Sequence, residues 1–358
     1  MLFATTVGAG IFALPYVVSR SGWLVGLFYL LFFGALIAFV HYLYLQVLMK
    51  LREPYHLLGL VKINYGRILS SVAFLAIMGG LFLTLTAYLI LAERFLDLIV
   101  PGLGDALGLG AFWLFASVPI LLGVRRLVIG EALGAALMIA IVGFVVFATQ
   151  EPLRIFALPA ADLKNVLVPF GVVLFALAGW PAIEPMVEYQ KKIGPGFRPI
   201  PALAWGTAAV VLVYVLFTVG IFGSAATITE DAVSGLTGWP AFSLALIGAL
   251  GIFAIWTSYV PIGIEIKNTL VDDLTLPKLF SSGLVLFGPP LLVYLGLNQF
   301  LQVVGLVGGV FLALQYLLII LVGRAMLSLG RAQKFFLDVL AAAFILAAVY
   351  EIYYFIVG

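Results

Sequence analysis

The chain has 358 residues, 65% hydrophobic and only 9% charged, with a mean hydropathy of +1.24. A water-soluble domain carries about 25% charged residues, which excludes a soluble fold, and long unbroken apolar runs exclude the short alternating segments of a membrane β-barrel. The net charge is +2, the basic residues form no patch interleaved with aromatics, and there is no cysteine; nucleic acid is therefore not an expected partner, and disulfides, thiolate metal sites and cysteine nucleophiles are ruled out.

About eleven apolar spans follow in chain order. Span 1 covers Leu2–Ser19, span 2 Trp23–Met49, span 3 Leu69–Ile99, span 4 Leu107–Gly123 and span 5 Val128–Thr149. Span 6 covers Val166–Val187, span 7 Ile200–Gly223, span 8 Phe242–Ile266, span 9 Leu279–Leu295, span 10 Leu301–Val322 and span 11 Phe335–Val357. With the N-terminus inside, the outer loops hold only Arg20, Arg94, Arg154 and Lys164 of the eighteen Lys and Arg residues. Arg52, Arg125, Arg126 and the rest fall on inner loops, as the positive-inside rule requires, and the C-terminus lies outside. The inner loop Glu53–Arg67 mixes apolar and basic residues and is expected to form a short surface helix. In the longest outer loop, Ser224–Pro240, Thr229 precedes Glu230 and Asp231 and predicts the N-cap of a short outer helix. The string Gly102-Leu103-Gly104-Asp105 matches the GxGD of intramembrane aspartyl proteases, but it sits in an outer loop and reads as a turn.

Two spans carry breaks. In span 1, VGAGIFALPY places Gly8 and Gly10 mid-membrane, ahead of Pro15. In span 6, FALAGWPAIEPM places Gly179 where a helix can end and Pro181 where a new one can start. One such interruption usually serves close packing. A pair at corresponding positions of two halves points to a transporter site at the bilayer midplane. Span 1 opens a first set of five spans and span 6 a second; five is odd, so the second set enters from the opposite side. The span order thus gives an inverted repeat of residues 1–149 and 150–323, with 324–358 as an added helix. The half-helix starting near Ile11 offers free N–H groups to a carboxylate, and the carbonyls near Ala178 suit an ammonium group or a cation.

At these residues the chain resembles the amino acid/polyamine/organocation transporter superfamily, in its amino acid/auxin permease and aromatic amino acid permease branches. GAGIFALPY, FALAGWPAIEPMVEY, TSYVPIGIEIKNTLVDDL and, more loosely, LTAYLILAERF carry the likeness, which extends from span 1 through span 10. It implies an all-α polytopic membrane protein of the LeuT fold, five plus five helices and one extra, working by alternating access. It further implies that the backbone of Gly8, Ala9, Gly10 and Ile11 receives a substrate carboxylate. The carbonyls of Phe175, Ala176 and Ala178, beside Gly179, would receive the amino group, with Trp180 closing over the side chain and Tyr88 lining the pocket. The plainer reading of Tyr88 is packing. In sodium-coupled members a cation lies between helix 8 oxygens and helix 1 carbonyls; here those would be Ala254, Thr257, Ser258, Ala4 and Val7. The plainer reading of the two hydroxyls is bonding back to their own helix. Some proton-coupled relatives carry a lysine in helix 5; span 5 has none, which favours sodium over a proton as coupling ion.

Among charges within spans, Glu184 follows the break in span 6 and is the candidate proton carrier or gate. The branch more commonly has an apolar residue there. Glu93 and Glu351 lie near outer span ends and are expected to snorkel. His41 and His56 have no metal-binding partner in sequence and read as structural. Only seven residues precede Gly8, so the first half of span 1 is short; either the native start is expected upstream of Met1 or the segment is truncated. No catalytic constellation appears. The expectation is a cation-coupled transporter of neutral, apolar or aromatic amino acids in the inner (cytoplasmic) membrane, with a lipid bilayer and a small amino acid as its partners. An uncoupled exchanger or exporter, or a non-transporting membrane sensor, are the alternatives.

Overall fold

The computed structural model describes residues 2–51, 55–122, 128–272 and 274–357. Met1, Arg52, Glu53, Gly123, Arg125 and Arg126, which enter the span boundaries and the charge partition above, lie outside them. The first half of the chain forms α1 (Leu2–Thr6), α2 (Gly10–Ser21), α3 (Trp23–Lys50), α4 (Leu57–Ile99), α5 (Asp105–Leu122) and α6 (Val128–Phe147). The second forms α7 (Pro169–Ala176), α8 (Ile183–Ile193), α9 (Pro199–Ser224), α10 (Ala241–Asp272), α11 (Lys278–Tyr294), α12 (Phe300–Leu306), α13 (Ala313–Met326) and α14 (Arg331–Val357). Every described part is helix, turn or loop.

Each apolar span read from the sequence is helical. Among the described residues, seven helical stretches are long and apolar enough to cross a membrane, and Ala106–Leu122, Ala132–Phe147 and Lys278–Tyr294 are shorter apolar helices. Burial sorts them. In Pro169–Ile193 and Phe300–Met326 the apolar 18-residue core of the stretch is 78% and 72% buried, against 22–33% in the other five. The second broken span and span 10 therefore form the axis of the molecule. The others turn apolar faces outward, as lipid contact demands.

The two breaks fall where glycine and proline put them. Span 1 divides into α1 and α2 across Val7–Ala9. Span 6 ends its first half at Ala176, runs irregularly to Gly179, makes a 3-10 turn over Trp180–Ala182 with Pro181 in its first turn, and continues as α8. Span 10 is interrupted differently: Val307–Leu312 is a π-helical segment between α12 and α13, the kind of wide turn that recurs at functional sites. The surface helix expected before span 3 is present as the head of α4. It joins the span at Gly66, whose φ of 79° only glycine adopts without strain. Its Leu57, Leu60 and Val61 are buried, so it packs inward.

Three expectations are corrected. The outer loop between α9 and α10 holds no helix: Thr229 donates to Asp231 Oδ1 (3.0 Å), which also accepts from the Ser234 N–H (2.8 Å), so the cap-like sequence closes a turn. Glu93 is buried and pairs with Arg94 at 3.3 Å. Glu351 does not snorkel: α14 lays its carboxyl into a socket of Gly171, Gly305 and Gly309, where an added Cβ would come within 2.4–3.0 Å of its atoms.

The same crossing brings two helix backbones into close contact. A Cβ on Gly308 would lie 1.7 Å from the Gly171 carbonyl oxygen and 2.9 Å from the Phe175 nitrogen, both backbone. Gly308→Ala is therefore expected to push α7 off the π segment and lower the melting temperature by several degrees, since overpacking costs about 1–3 kcal/mol. Gly143→Ala, in open space on α6, should be neutral or slightly stabilising. Equal melting of the two variants would refute the close approach.

Candidate functional site

A cavity of about 940 Å³ begins at the two breaks and runs between α4, α8 and α10. Gly8, Ala9 and Gly10 form one wall, Phe175, Ala178 and Trp180 another, and Tyr88, Thr257 and Ser258 face them. At the far end lie His56, Glu184, Glu265, Asn268 and Thr269. The end near the α9–α10 loop is shut: Arg94 of α4 reaches Asp231 (3.8 Å), and Glu230 accepts a hydrogen bond from the Leu301 backbone at the start of α12.

The breaks touch each other. A Cβ on Gly10 would meet Ala176 Cα at 2.6 Å, so backbone packs on backbone there. Gly179 backs onto Thr6 and Leu2, within 2.3 and 2.9 Å of a Cβ. The structure brings Gly8, Ala9, Gly10, Phe175, Ala178, Trp180 and Tyr88 to the cavity surface. Ile11, Ala176 and Gly179 stand behind it. The Ile11 N–H bonds the Gly8 carbonyl (3.4 Å), so the donors facing the cavity lie one step earlier than the sequence indicates. The Ala176 carbonyl is engaged by Tyr214 Oη (2.6 Å) rather than pointing into the cavity. Tyr88 does more than pack: its hydroxyl is hydrogen-bonded to the Ser258 side chain and to the backbone of Ala9.

Of the residues read as a cation site, Ala4, Thr257 and Ser258 line the cavity, whereas Val7 and Ala254 are buried beside it. Thr257 Oγ1 donates to the Ala254 carbonyl at 2.8 Å. Its hydroxyl lies where a Cβ on Gly134 of α6 would be, 2.2 Å away. A glycine at 134 is what leaves room for that oxygen. Two hydroxyls and neighbouring carbonyls are hard oxygen donors, the ligand type an alkali cation takes, and they sit next to the break in span 1.

Trp180 is fixed across three helices. Its Nε1–H donates to Gln315 Oε1 of α13 (2.8 Å), and Gln315 Nε2 donates to the Ala76 carbonyl of α4 (3.0 Å). Its ring packs edge-on against Tyr44, with centroids 6.1 Å apart.

The family model described as "Transmembrane amino acid transporter protein" matches residues 1–227, both breaks included. The chain belongs to this transporter family. Among solved structures, MhsT in complex with L-phenylalanine is similar over 98% of this chain and 96% of its own, with a TM-score of 0.67 at 16% identity. The transporter thus has the LeuT fold, and family and fold together point to a transporter rather than an enzyme. No curated protein matches the chain.

Glu184, Tyr44 and His56 are joined by contacts that the sequence only half revealed. Glu184 Oε1 accepts from Tyr44 Oη (2.6 Å), and its Oε2 is paired with His56 Nδ1. His56, read from sequence as structural, instead links the head of α4 to α8 across the cavity mouth. The hydrogen bond to Glu184 raises the His56 pKa above its ordinary 6.5; partial burial opposes this, and the charges of Glu184, Glu188 and Glu265 add to it. A raised histidine pKa means that the contact is at full strength below about pH 6.5 and is lost as pH climbs through the raised value. Because the chain has no cysteine, a single Ala178→Cys can report access. Its labelling, corrected for free-thiol reactivity, is expected to accelerate as pH rises through that range. The same reporter with His56→Gln should give a flat profile, and superimposable profiles would dismiss a gating role for the contact.

Proposed function

We propose that this protein is a secondary active transporter that carries neutral, apolar or aromatic amino acids by alternating access, coupled to sodium. The observation that carries the reading is the meeting of the two broken spans, Gly10 against Ala176, at the closed end of a cavity open at the other. The positive end of α2 and the negative end of α7 offer opposite partial charges within one pocket, which suits a zwitterion. Among the described lining residues the only ionisable ones besides Tyr88 are His56, Glu184 and Glu265, all at the mouth. The pocket near the breaks is therefore uncharged, which favours an apolar or aromatic side chain under Trp180 and Phe175. MhsT, the solved neighbour, holds L-phenylalanine, which fits this choice.

Thr257 and Ser258 support sodium as the coupling ion, and the glycine at 134 supports it over a proton carried by a helix 5 base. The two sets of five helices work as an inverted repeat about this centre. On the charge partition, the mouth at His56 and Glu184 faces the cytoplasm and the chain sits in the inner membrane with its N-terminus inside.

The test is a thermal-shift screen of purified protein against the twenty amino acids, each with sodium or choline, followed by uptake into proteoliposomes for any that bind. A ligand bound only by the folded state raises apparent stability by mass action. A shift with a few neutral amino acids, enlarged by sodium, and uptake driven by a sodium gradient is the expected result. Binding without flux would replace the transporter by a sensor; counterflow indifferent to any ion gradient would replace symport by exchange.

A further inference from the structure

Tyr214 is wholly buried in α9 and belongs to neither break, yet its hydroxyl touches both. Oη lies 2.9 Å from the Thr6 carbonyl oxygen and 2.6 Å from that of Ala176. These are the last residues of α1 and α7. The terminal carbonyls of a helix have no next turn to pair with and carry its partial negative charge. Two such ends converging on one point repel unless something positive lies between them, and here that is the single phenolic hydrogen, shared between the two acceptors. On the same helix, Phe217, one turn further along α9, packs edge-on against Phe12 of α2 with centroids 5.4 Å apart.

The geometry points to Tyr214 as a positioning residue that ties the two half-helices together, so that α1 and α7 move as one body. α1 lies on the open side of the cavity and α7 on the closed side. A tie between their ends makes opening at one side and closing at the other a single event, which alternating access requires. Thr6 reinforces the tie, since its Oγ1 bonds the Leu2 carbonyl (2.8 Å) and packs under Gly179. The inference takes the breaks as the moving parts of the function proposed above, but its test uses no substrate.

Amide hydrogen exchange is measured on peptides covering residues 2–14 and 170–183, in choline chloride so that no alkali cation takes the hydroxyl's place. Tyr214→Phe keeps the ring and removes the hydrogen. It is expected to speed exchange at both breaks about tenfold, the factor that corresponds to roughly 1.4 kcal/mol. Replacing Tyr214 by 4-aminophenylalanine, which restores a donor at the same place, should return both peptides to wild-type protection. Phe217→Leu, a packing change on the same helix face, should loosen at most the peptide that contains its partner Phe12, and not both breaks. Acceleration at one break only, at neither, or equally in Phe217→Leu overturns the tie, as does failure of the amino analogue to restore protection. Should Tyr214→Phe not fold, the amino analogue alone decides: it must fold and protect both breaks. If wild-type protein shifts with no amino acid in the thermal screen, the transport reading fails while the exchange comparison still stands or falls by itself.

Discussion

Gly10→Ala is expected to weaken amino acid binding severely while leaving a protein that still folds. The new methyl would sit 2.6 Å from Ala176 Cα, 3.0 Å from its Cβ and 3.0 Å from its nitrogen. None of these atoms belongs to a side chain that can swing aside. Carbon contacts settle near 3.5–4.0 Å, so the two breaks must part by roughly 1 Å. Overpacking of this kind costs about 1–3 kcal/mol. The bound state needs both breaks in register around one ligand, so the strain is charged largely to binding, a loss of about 10- to 100-fold. Gly8→Ala is the internal comparison. Its methyl would meet only the Tyr88 hydroxyl, at 3.1 Å, the end of a long side chain, and a several-fold loss is expected. Isothermal titration with whichever amino acid the screen identifies, on all three proteins, measures both. Equal affinities for Gly10→Ala and wild type would mean that the contact between the breaks has no part in binding.

The second large effect concerns sodium. Gly134→Ala places a Cβ 2.2 Å from Thr257 Oγ1 and 3.5 Å from the Ala254 carbonyl oxygen. The hydroxyl must rotate away, and with it goes one hard oxygen of the proposed cation site. Thr257→Ala removes the same oxygen from the other side. Both are expected to raise the sodium concentration for half-maximal uptake at least about tenfold, or ~1.4 kcal/mol, with much smaller changes in amino acid affinity at saturating sodium. Because one variant crowds the site and the other empties it, agreement between them would identify the oxygen itself as the cause. Sodium titrations identical to wild type in both would remove Thr257 from the coupling site.

The parts of this molecule visible in its sequence are those that use covalent peculiarities of the backbone. Glycine and proline mark both breaks, and the breaks fall within a residue or two of where VGAGIF and AGWPAIEP place them. Apolar run length marks every span. What escaped is polar pairing between elements far apart in the chain. Tyr214, Gln315 and Tyr44 each sit in an apolar helix where nothing local distinguishes them from packing residues. Their partners lie 208, 135 and 140 positions away. A tyrosine or glutamine inside a membrane span is itself a signal, since an unpaired polar group there is costly, but it names no partner. Glu351 escaped for the opposite reason. Its socket consists of three glycines, Gly171, Gly305 and Gly309, from two distant segments, and small residues read as generic packing until the helices are seen to cross. The direction of single carbonyls, as at Ala176, depends on the last turn of a half-helix and is set by tertiary contact.

The transporter's two ends differ in a way that bears on how it can be blocked. One end is sealed by Arg94, Asp231 and Glu230 beneath a turn-rich loop; the other opens through His56, Glu184 and Glu265 into about 940 Å³. An amino acid analogue with a bulky extension on its side chain would thread the open end and leave its tail between α4 and α10, wedging the molecule in this shape. Offered from the sealed side alone, the same compound would meet no opening until the protein turned over. Inhibition by such analogues should therefore depend on which face of the membrane they are added to, and a purified binder of the open mouth would distinguish right-side-out from inverted vesicles.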